Sequence, residues 1–398
     1  MVKVDDKKIK EILTRGVEDV LVKEDLEKKL ISGKKIKLYL GVDPTGFDLH
    51  LGHAIALWKL RAFQDLGHEV ILLIGDFTAR IGDPSGKDAT RKPLSEKEVK
   101  ANMKDYKNQA SKILDFSKVK IRYNGQWLSK LKFGDILKLA SQFTVQQMIQ
   151  RDMFQRRIEQ NMPISVHEFM YPLMQGYDSV AMDVDLEIGG NDQMFNMLAG
   201  RTLQKIYNNK DKDVMTMKLL LGGDGRKMSK TFGNTIALSD KPNEMYGKVM
   251  SIKDELITDY LELATRLSYE EIDKIKNMPN PRDQKATLAR EIVKLYYGEN
   301  LAKKAEEEFD KIFRNREVPS DMPVFETDKK FYPILDLLLD AKMVTSKNEA
   351  KRLVEQNAVE IQKAEDKNKI TDWKTEISIE NEMVIKVGNR RFVKIILK

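Results

Sequence analysis

Two short clusters hold residue types suited to phosphate chemistry. The first is His50-Leu51-Gly52-His53. Half of the chain's four histidines fall in this one turn; the others are His68 and His167. Histidines three apart share a helix face. A helix N-terminus adds unpaired N–H groups and a partial positive charge, which suit an anion. Gly52 leaves space for a ring or a backbone to approach. The pair could be ordinary surface histidines, but a crevice position after a strand speaks for a site. The second cluster is Lys227-Met228-Ser229-Lys230-Thr231, directly after Gly222-Gly223-Asp224-Gly225-Arg226. A glycine-rich loop with two lysines three apart suits an anion that forms and leaves. Alone, a KxxK turn reads as a solvated surface. Its pairing with the histidine cluster in one domain changes that reading.

These clusters need elements to hold them. Lys35–Val42 reads as a strand, and Asp43-Pro44-Thr45-Gly46 as a turn. Leu51, Ala54, Ile55, Trp58, Ala62 and Leu66 repeat with helical period, with Asp48 as the expected N-cap. Glu69–Phe77 is a nearly continuous apolar run, as for a buried parallel strand. Strand, helix, strand at this spacing is a βαβ unit. Further on, the pattern predicts helices over 96–114, opened by the capping box Ser95–Glu98, and over 133–160. Strands are predicted over Met182–Gly190 and Val214–Gly223, with a helix over 193–207 between them. Residues 1–33 read as polar helix. The fold class is α/β, with a Rossmann-like doubly wound parallel sheet, followed by a helical domain and a small α+β module.

Composition sets the limits. The chain has 398 residues, 41% hydrophobic and 33% charged, which excludes collagen, disordered and mucin-like classes. It has no cysteine, which excludes disulfides, zinc thiolate sites, iron–sulfur clusters and thiol nucleophiles. Apolar runs such as Val70–Ile74 are too short to cross a bilayer. The start, MVKVDDKKIKEIL, has no apolar signal core, so the expected compartment is the cytoplasm. The net charge is +7. Residues 87–132 hold 13 Lys or Arg against 5 Asp or Glu. That segment is either a solvated helix face or a surface for nucleic-acid phosphates.

Three parts are expected: 1–234, with a helical insertion over about 115–180; a helical region and linker over 235–325, with Val318–Glu326 as the linker; and 331–398. In the last part Ser346–Glu349 reads as a capping box beside Lys347, Lys351 and Arg352. Gly388-Asn389 reads as a hairpin turn.

The two clusters, in this order, resemble the nucleotide-binding signatures of class I aminoacyl-tRNA synthetases. Four intervening stretches narrow the likeness: LYLGVDPTGFDLHLGHA (Leu38–Ala54), IGDPSGK (Ile81–Lys87), YPLMQGYDS (Tyr171–Ser179) and EIGGNDQ (Glu187–Gln193). Together they resemble the tyrosyl-tRNA synthetases, and the tail resembles an S4-type RNA-binding module. Leu51 and Thr231 depart from this pattern conservatively, standing where isoleucine and serine are common.

The likeness implies roles. Tyr39 and Asp178 would hold the phenolic hydroxyl of tyrosine, and Tyr171, Gln175 and Asp83 its ammonium group. Gln193 would join this tyrosine pocket. Gly41, Asp43, Gly190, Asp192 and Gln193 would line the adenylate and ribose site. Gly52, Met228 and Ser229 would belong to the ATP site. Thr45 and His50 would contact the ATP phosphates, His53 would support the nucleotide, and Lys227 and Lys230 would neutralise departing pyrophosphate. Blander readings stand beside these. Tyr39 on an apolar strand could be a core tyrosine. Tyr171 and Gln175, four apart, share a face only if helical. Asp192 and Gln193 could cap a helix, and Asp83 could be a plain turn residue. Asp178 in a mostly uncharged stretch needs a partner if buried, and its pocket is expected to be otherwise apolar.

The implied reaction joins tyrosine to tRNA(Tyr) through tyrosyl-adenylate. ATP is a substrate, Mg2+ travels with its phosphates, and no protein-bound metal or organic cofactor is expected. A homodimer and no membrane are implied. The rivals are a tryptophanyl relative, a nucleotidyltransferase with an HxGH turn, and an RNA-binding protein on an inactive scaffold. Tyr39 with Asp178 and the tail speak against the first; the tyrosine pocket and RNA module are unneeded in the second; intact His50, His53, Lys227 and Lys230 speak against the third.

Overall fold

A computed structural model describes residues 2–85, 93–228, 232–314, 322–363, 366–388 and 391–398. The chain divides into two compact units, Met1–Lys303 and Lys304–Lys398.

Among the described residues the first unit is built on six strands: β1 (Val17–Leu21), β2 (Lys37–Val42), β3 (Glu69–Ile74), β4 (Val119–Tyr123), β5 (Leu186–Gly190) and β6 (Asp213–Met217). Their order is β1-β6-β5-β2-β3-β4. β2 to β6 run parallel, and β1 closes the edge antiparallel to β6. The sheet is therefore α/β as expected, with two strands the pattern did not predict. β1 (VEDVL) lies within the segment expected to be helical. Two adjacent acids break its alternation, and only pairing with β6 makes it a strand. β4 (VKIRY) alternates buried and polar residues on the far edge.

β2 supplies the centre. Leu38, Tyr39 and Leu40 are buried, as is the whole of Val70–Ile74 on β3. From β2 the chain winds outward to β3 and β4, then returns to place β5 on the other side of β2. Loops leaving β2 and β5 thus diverge. The crevice they leave at the strands' carboxyl ends is where doubly wound sheets bind ligands.

Two long helices expected from periodicity are broken. The 96–114 segment forms Glu96–Met103 and Tyr106–Ser111. The 133–160 segment forms Phe133–Ala140, Val145–Ile149 and Asp152–Glu159, with Thr144 capping the second of these. Local caps such as Ser95 and Thr144 help set where a helix begins, which an apolar period alone does not show.

His68 links β3 to its neighbour. It is buried, and its Nδ1 accepts the Ile36 N–H at 3.4 Å. Burial, helped by Lys35, lowers its pKa to about 4. An unfolded histidine titrates near ~6.5. Between these values the unfolded chain takes up a proton that the folded chain refuses, so stability is complete above the higher value and falls as pH drops toward the lower one. We expect His68→Gln, which keeps an acceptor, to remove on the order of 2 kcal/mol of acid destabilisation between pH ~7 and ~4.5. Urea midpoints at the two pH values check this; equal losses in variant and parent would assign the effect elsewhere.

The described residues of the second unit form seven strands: β7 (Val324–Thr327), β8 (Phe331–Pro333), β9 (Val359–Lys363), β10 (Asp366–Ile370), β11 (Glu376–Ser378), β12 (Val384–Val387) and β13 (Arg391–Leu397). A five-stranded sheet has the order β10-β9-β12-β13-β7, and β11 pairs with β8. Ile334, Leu337, Val354, Val359, Ile385 and Ile395 share its core. β7 pairs parallel with β13. Val324–Glu326, read as linker from its flanking prolines, is thus part of this sheet; residues 315–321 lie outside the described residues. β12 and β13 form the expected hairpin; Asn389 of its turn lies outside the description. Ser346 caps the Lys347–Glu355 helix. The reciprocal bond of a capping box goes elsewhere: Glu349 accepts from Thr345 N–H instead.

Candidate active site

The crevice holds a cavity of about 600 Å3. Tyr39, Gly41, Asp43, Thr45, His50, Gly52 and His53 reach it from β2 and the loop and helix that follow. Asp83, Tyr171, Gln175, Asp178, Gly190, Asp192, Gln193, Lys227 and Met228 line it as well. So the structure brings together every expected site residue except Ser229 and Lys230, which lie outside the described residues. So do Thr231 and residues 86–92, including Lys87 of the IGDPSGK stretch.

The loop after β2 is held from outside by the 96–111 helices. Asn102 donates to the Pro44 carbonyl and Tyr106 to that of Gly46. Gln109 accepts from Leu49 N–H and donates to the Phe47 carbonyl. Four backbone groups of a tight loop are satisfied, and this fixes where the Leu51–Asp65 helix begins. His50, not Asp48, is the N-cap; Asp48 instead accepts from Ser239 at 2.7 Å. His50 N–H donates to His53 Nδ1 at 3.2 Å, and the rings lie 3.9 Å apart. A Cβ on Gly52 would sit 3.0 Å from the His50 ring, which explains the glycine.

At the cavity's inner end Tyr39 is fully buried, its hydroxyl 3.0 Å from Ser179 Oγ. Asp178, also buried, accepts from Trp127 Nε1 at 2.7 Å and Asn124 Nδ2 at 3.1 Å. Tyr39 and Asp178 thus face one cavity while each is held by other partners. The surroundings are not apolar as expected. Burial raises the Asp178 carboxyl well above the usual range, and nearby Glu187 and Asp43 push the same way, against the two donors.

The Met170–Met182 helix places Tyr171, Gln175 and Asp178 on one face, as the spacing required. Tyr171 donates to Asp43 Oδ2 at 2.8 Å, and Thr78 donates to Asp43 Oδ1 at 2.7 Å. Burial, then Asp43, raises the Tyr171 phenol well above its ordinary pKa. A Cβ on Gly75 would fall 1.9 Å from Asp43 Oδ1, so the backbone of this loop leaves the carboxylate its place. Gln193 donates to Asp83 Oδ2 at 2.7 Å, while Asp83 Oδ1 also closes a turn with Ser85 N–H. Asp192 does not cap a helix with its side chain; it pairs with Lys227 Nζ at 2.6 Å. That contact ties the turn after β5 to the lysine loop.

Asn124, Trp127, Thr78, Ser179, Glu187 and Lys212 went unassigned from sequence. Asn124 follows β4, a strand the pattern did not predict, so its place at a strand's carboxyl end gave no signal. Glu187 lay within EIGGNDQ. Lys212 gave no signal, because its partners come from elements distant in sequence.

The family model of the class I tRNA synthetases (W and Y) matches residues 32–314. The tyrosine–tRNA ligase SYY-like C-terminal domain matches 315–395. This chain belongs to the tyrosine–tRNA ligase family. The tyrosine–tRNA ligase of Thermotoga maritima is 48% identical over 390 residues, covering 96% of each chain. That of Moorella thermoacetica is 46% identical over 396 residues, covering 96% of this chain and 94% of its own. Among solved structures, the Aspergillus nidulans mitochondrial tyrosyl-tRNA synthetase, truncated at its C-terminus, matches 77% of this chain and 94% of its own, with a TM-score of 0.65 at 24% identity. The Archaeoglobus fulgidus tyrosyl-tRNA synthetase, complexed with L-tyrosine, matches 75% of this chain and 99% of its own, with a TM-score of 0.60 at 24% identity. At that identity the structures speak for the shared fold alone. The family assignment favours neither the tryptophanyl nor the nucleotidyltransferase reading.

Proposed function

We propose that this chain activates tyrosine with ATP, releasing pyrophosphate, and transfers the tyrosyl group to the terminal adenosine of tRNA(Tyr). The observation that carries this is one cavity with two chemistries. Its inner end has a buried phenol and carboxylate, Tyr39 and Asp178; its mouth has a paired-histidine helix N-terminus and a lysine. In the first step the tyrosine carboxylate attacks the ATP α-phosphate. That carboxylate is ionised at neutral pH, so no general base is needed. The chain's residues orient and stabilise charge. Tyr39 and Asp178 take the phenolic hydroxyl. Tyr171, Gln175 and Asp83 surround the ammonium group, and Gln193 lies between the tyrosine pocket and the nucleoside site. Gly41, Asp43, Gly190 and Asp192 receive the nucleoside. Thr45 and His50 meet the phosphates, His53 and Gly52 hold the nucleotide near the helix end, and Lys227 and Lys230 neutralise pyrophosphate.

Among the described residues no group of three His, Asp or Glu side chains is placed to hold a metal ion. Mg2+ belongs to this reading as part of the ATP phosphates, and no step is routed through it. Homodimer formation is supported by the exposed apolar residues Phe133, Leu137, Val145 and Val166. No helix among the described residues is long and apolar enough to cross a membrane; a cytoplasmic location is part of the proposal.

Pyrophosphate exchange across the amino acids tests the activity. Tyrosine should support it alone; exchange with tryptophan, or with none, would sink the reading. The second unit is proposed to bind tRNA as an S4-like module. Lys351 and Lys374 stand over Trp373, at 4.4 and 5.3 Å, an aromatic and basic surface suited to RNA. Because β7 belongs to this unit, the cut belongs after Arg314. We expect that truncation to keep pyrophosphate exchange within about twofold and to lower tRNA charging by at least about tenfold. Normal charging by the folded fragment would remove the RNA role.

A further inference from the structure

Behind Tyr39 lies a buried polar network that none of the roles above uses. Lys212 and Glu187 form an ion pair with side chains 0% and 2% exposed. Lys212 Nζ also donates to Ser179 Oγ at 2.9 Å. Ser179 Oγ lies 3.0 Å from the Tyr39 hydroxyl and 3.4 Å from Glu187 Oε2. A Cβ on Gly200 would sit 2.5 Å from Lys212 Nζ and 2.9 Å from Ser179 Oγ, so the neighbouring helix leaves room for this cluster. A buried ion pair is poor value for stability, since apolar residues of similar size commonly replace it without loss. Its position against the phenol site suggests another use.

Donor and acceptor rules give the network a direction. An ammonium only donates. Lys212 therefore occupies an acceptor site on Ser179 Oγ and leaves the hydroxyl one proton to give. Two acceptors are in reach. Glu187 Oε2 is farther and already takes the charge-assisted bond of Lys212; the Tyr39 oxygen is nearer and lies within ordinary O–H···O reach. With Ser179 donating to Tyr39, the Tyr39 proton points either to Glu187, which already accepts from Lys212 and from Gln175 Nε2 at 3.0 Å, or to the cavity, where a substrate hydroxyl can take it.

We infer that Lys212 and Ser179 are positioning residues that turn the Tyr39 hydroxyl outward, so that it donates to the phenol oxygen of bound tyrosine. The inference rests on the reading of Tyr39 and Asp178 as the phenol site. The substrate hydroxyl then accepts from Tyr39 and donates to Asp178, using both of its hydrogen-bonding capacities. Phenylalanine satisfies neither group, and the buried lysine is the fixed end from which that selectivity is set.

The test measures kcat/KM for tyrosine and phenylalanine by pyrophosphate exchange. Ser179→Ala, Tyr39→Phe and their combination form one set. Lys212→Met joined with Glu187→Gln forms the other, removing both charges so that no lone charge stays buried; thermal unfolding confirms that each variant is folded. Ser179→Ala should lower the tyrosine-to-phenylalanine ratio about 3- to 10-fold, with the loss falling on tyrosine. It should add little to Tyr39→Phe, because both break one chain of bonds. The paired charge removal should relax the ratio similarly. Equal losses for both amino acids, or additive effects in the combination, overturn the relay as a merely structural cluster. A ratio that falls in the paired charge removal but not in Ser179→Ala overturns it in favour of Tyr39 donating to the Glu187 carboxylate. An unchanged ratio in Tyr39→Phe itself sinks the phenol-site reading, and the relay with it.

Discussion

Asp178→Ala should lower kcat/KM for tyrosine on the order of 100-fold or more, far beyond the effect of Tyr39→Phe. The reason is what each change leaves behind. Removing the Asp178 carboxylate strands two buried donors, Trp127 Nε1 and Asn124 Nδ2, and removes the acceptor for the substrate hydroxyl. A bond to a charged group contributes ~1.5–3 kcal/mol, and each unsatisfied buried partner costs ~1–3 kcal/mol. Tyr39→Phe removes one neutral hydroxyl while Asp178 still accepts, so activity survives and selectivity over phenylalanine relaxes. There is a pH signature too. Burial lifts the Asp178 carboxyl above the ordinary range, with Glu187 and Asp43 adding to it. Protonation removes the acceptor, so tyrosine kcat/KM should fall on the acid side at a higher pH than an ordinary aspartate would give. Asp178→Asn should lack that limb. Steady-state kinetics for both amino acids across pH settle the matter; an Asp178→Ala variant near the parent would mean the phenol sits elsewhere.

Lys227→Ala should slow tyrosyl-adenylate formation by about 100- to 1,000-fold while leaving tyrosine affinity within about threefold. The Lys227 ammonium is half-exposed and pairs with Asp192 in the cavity. Such a pair is worth ~0–1 kcal/mol, so it yields readily when phosphates arrive. Its charge matters most as negative charge gathers on departing pyrophosphate, an interaction stronger in the transition state than before it. Lys230→Ala should act the same way by its place in the sequence. Rapid-mixing measurement of adenylate formation, beside equilibrium tyrosine binding, separates the two effects. Parallel losses in both would make Lys227 a general structural contact.

Much of the site was legible because its parts are local. The His50–His53 turn, the Tyr171–Gln175–Asp178 spacing and the Lys227 loop each show their residues within a few positions. Their order along an alternating strand and helix pattern placed them at the carboxyl ends of one sheet's strands. What misled was also local. The 133–160 segment keeps an apolar period across breaks that Thr144 and its neighbours impose. β1 has no period at all and becomes a strand because β6 offers it an edge.

The amino-acid sequence by itself determined the α/β class, the histidine and lysine clusters and about half of the cavity's lining, because these depend on residue type and short-range spacing. Only the tertiary structure decided which group each side chain answers to. Asp178 is held by Asn124 and Trp127, Asp43 by Thr78 and Tyr171, and Asp192 by Lys227. Most starkly, Lys212 meets Glu187 and Ser179, which lie 25 and 33 positions away. A buried charge takes whatever partner the packing brings to it. That pairing is fixed by how helices and strands stack around the sheet, a distance-dependent energy that linear spacing does not encode.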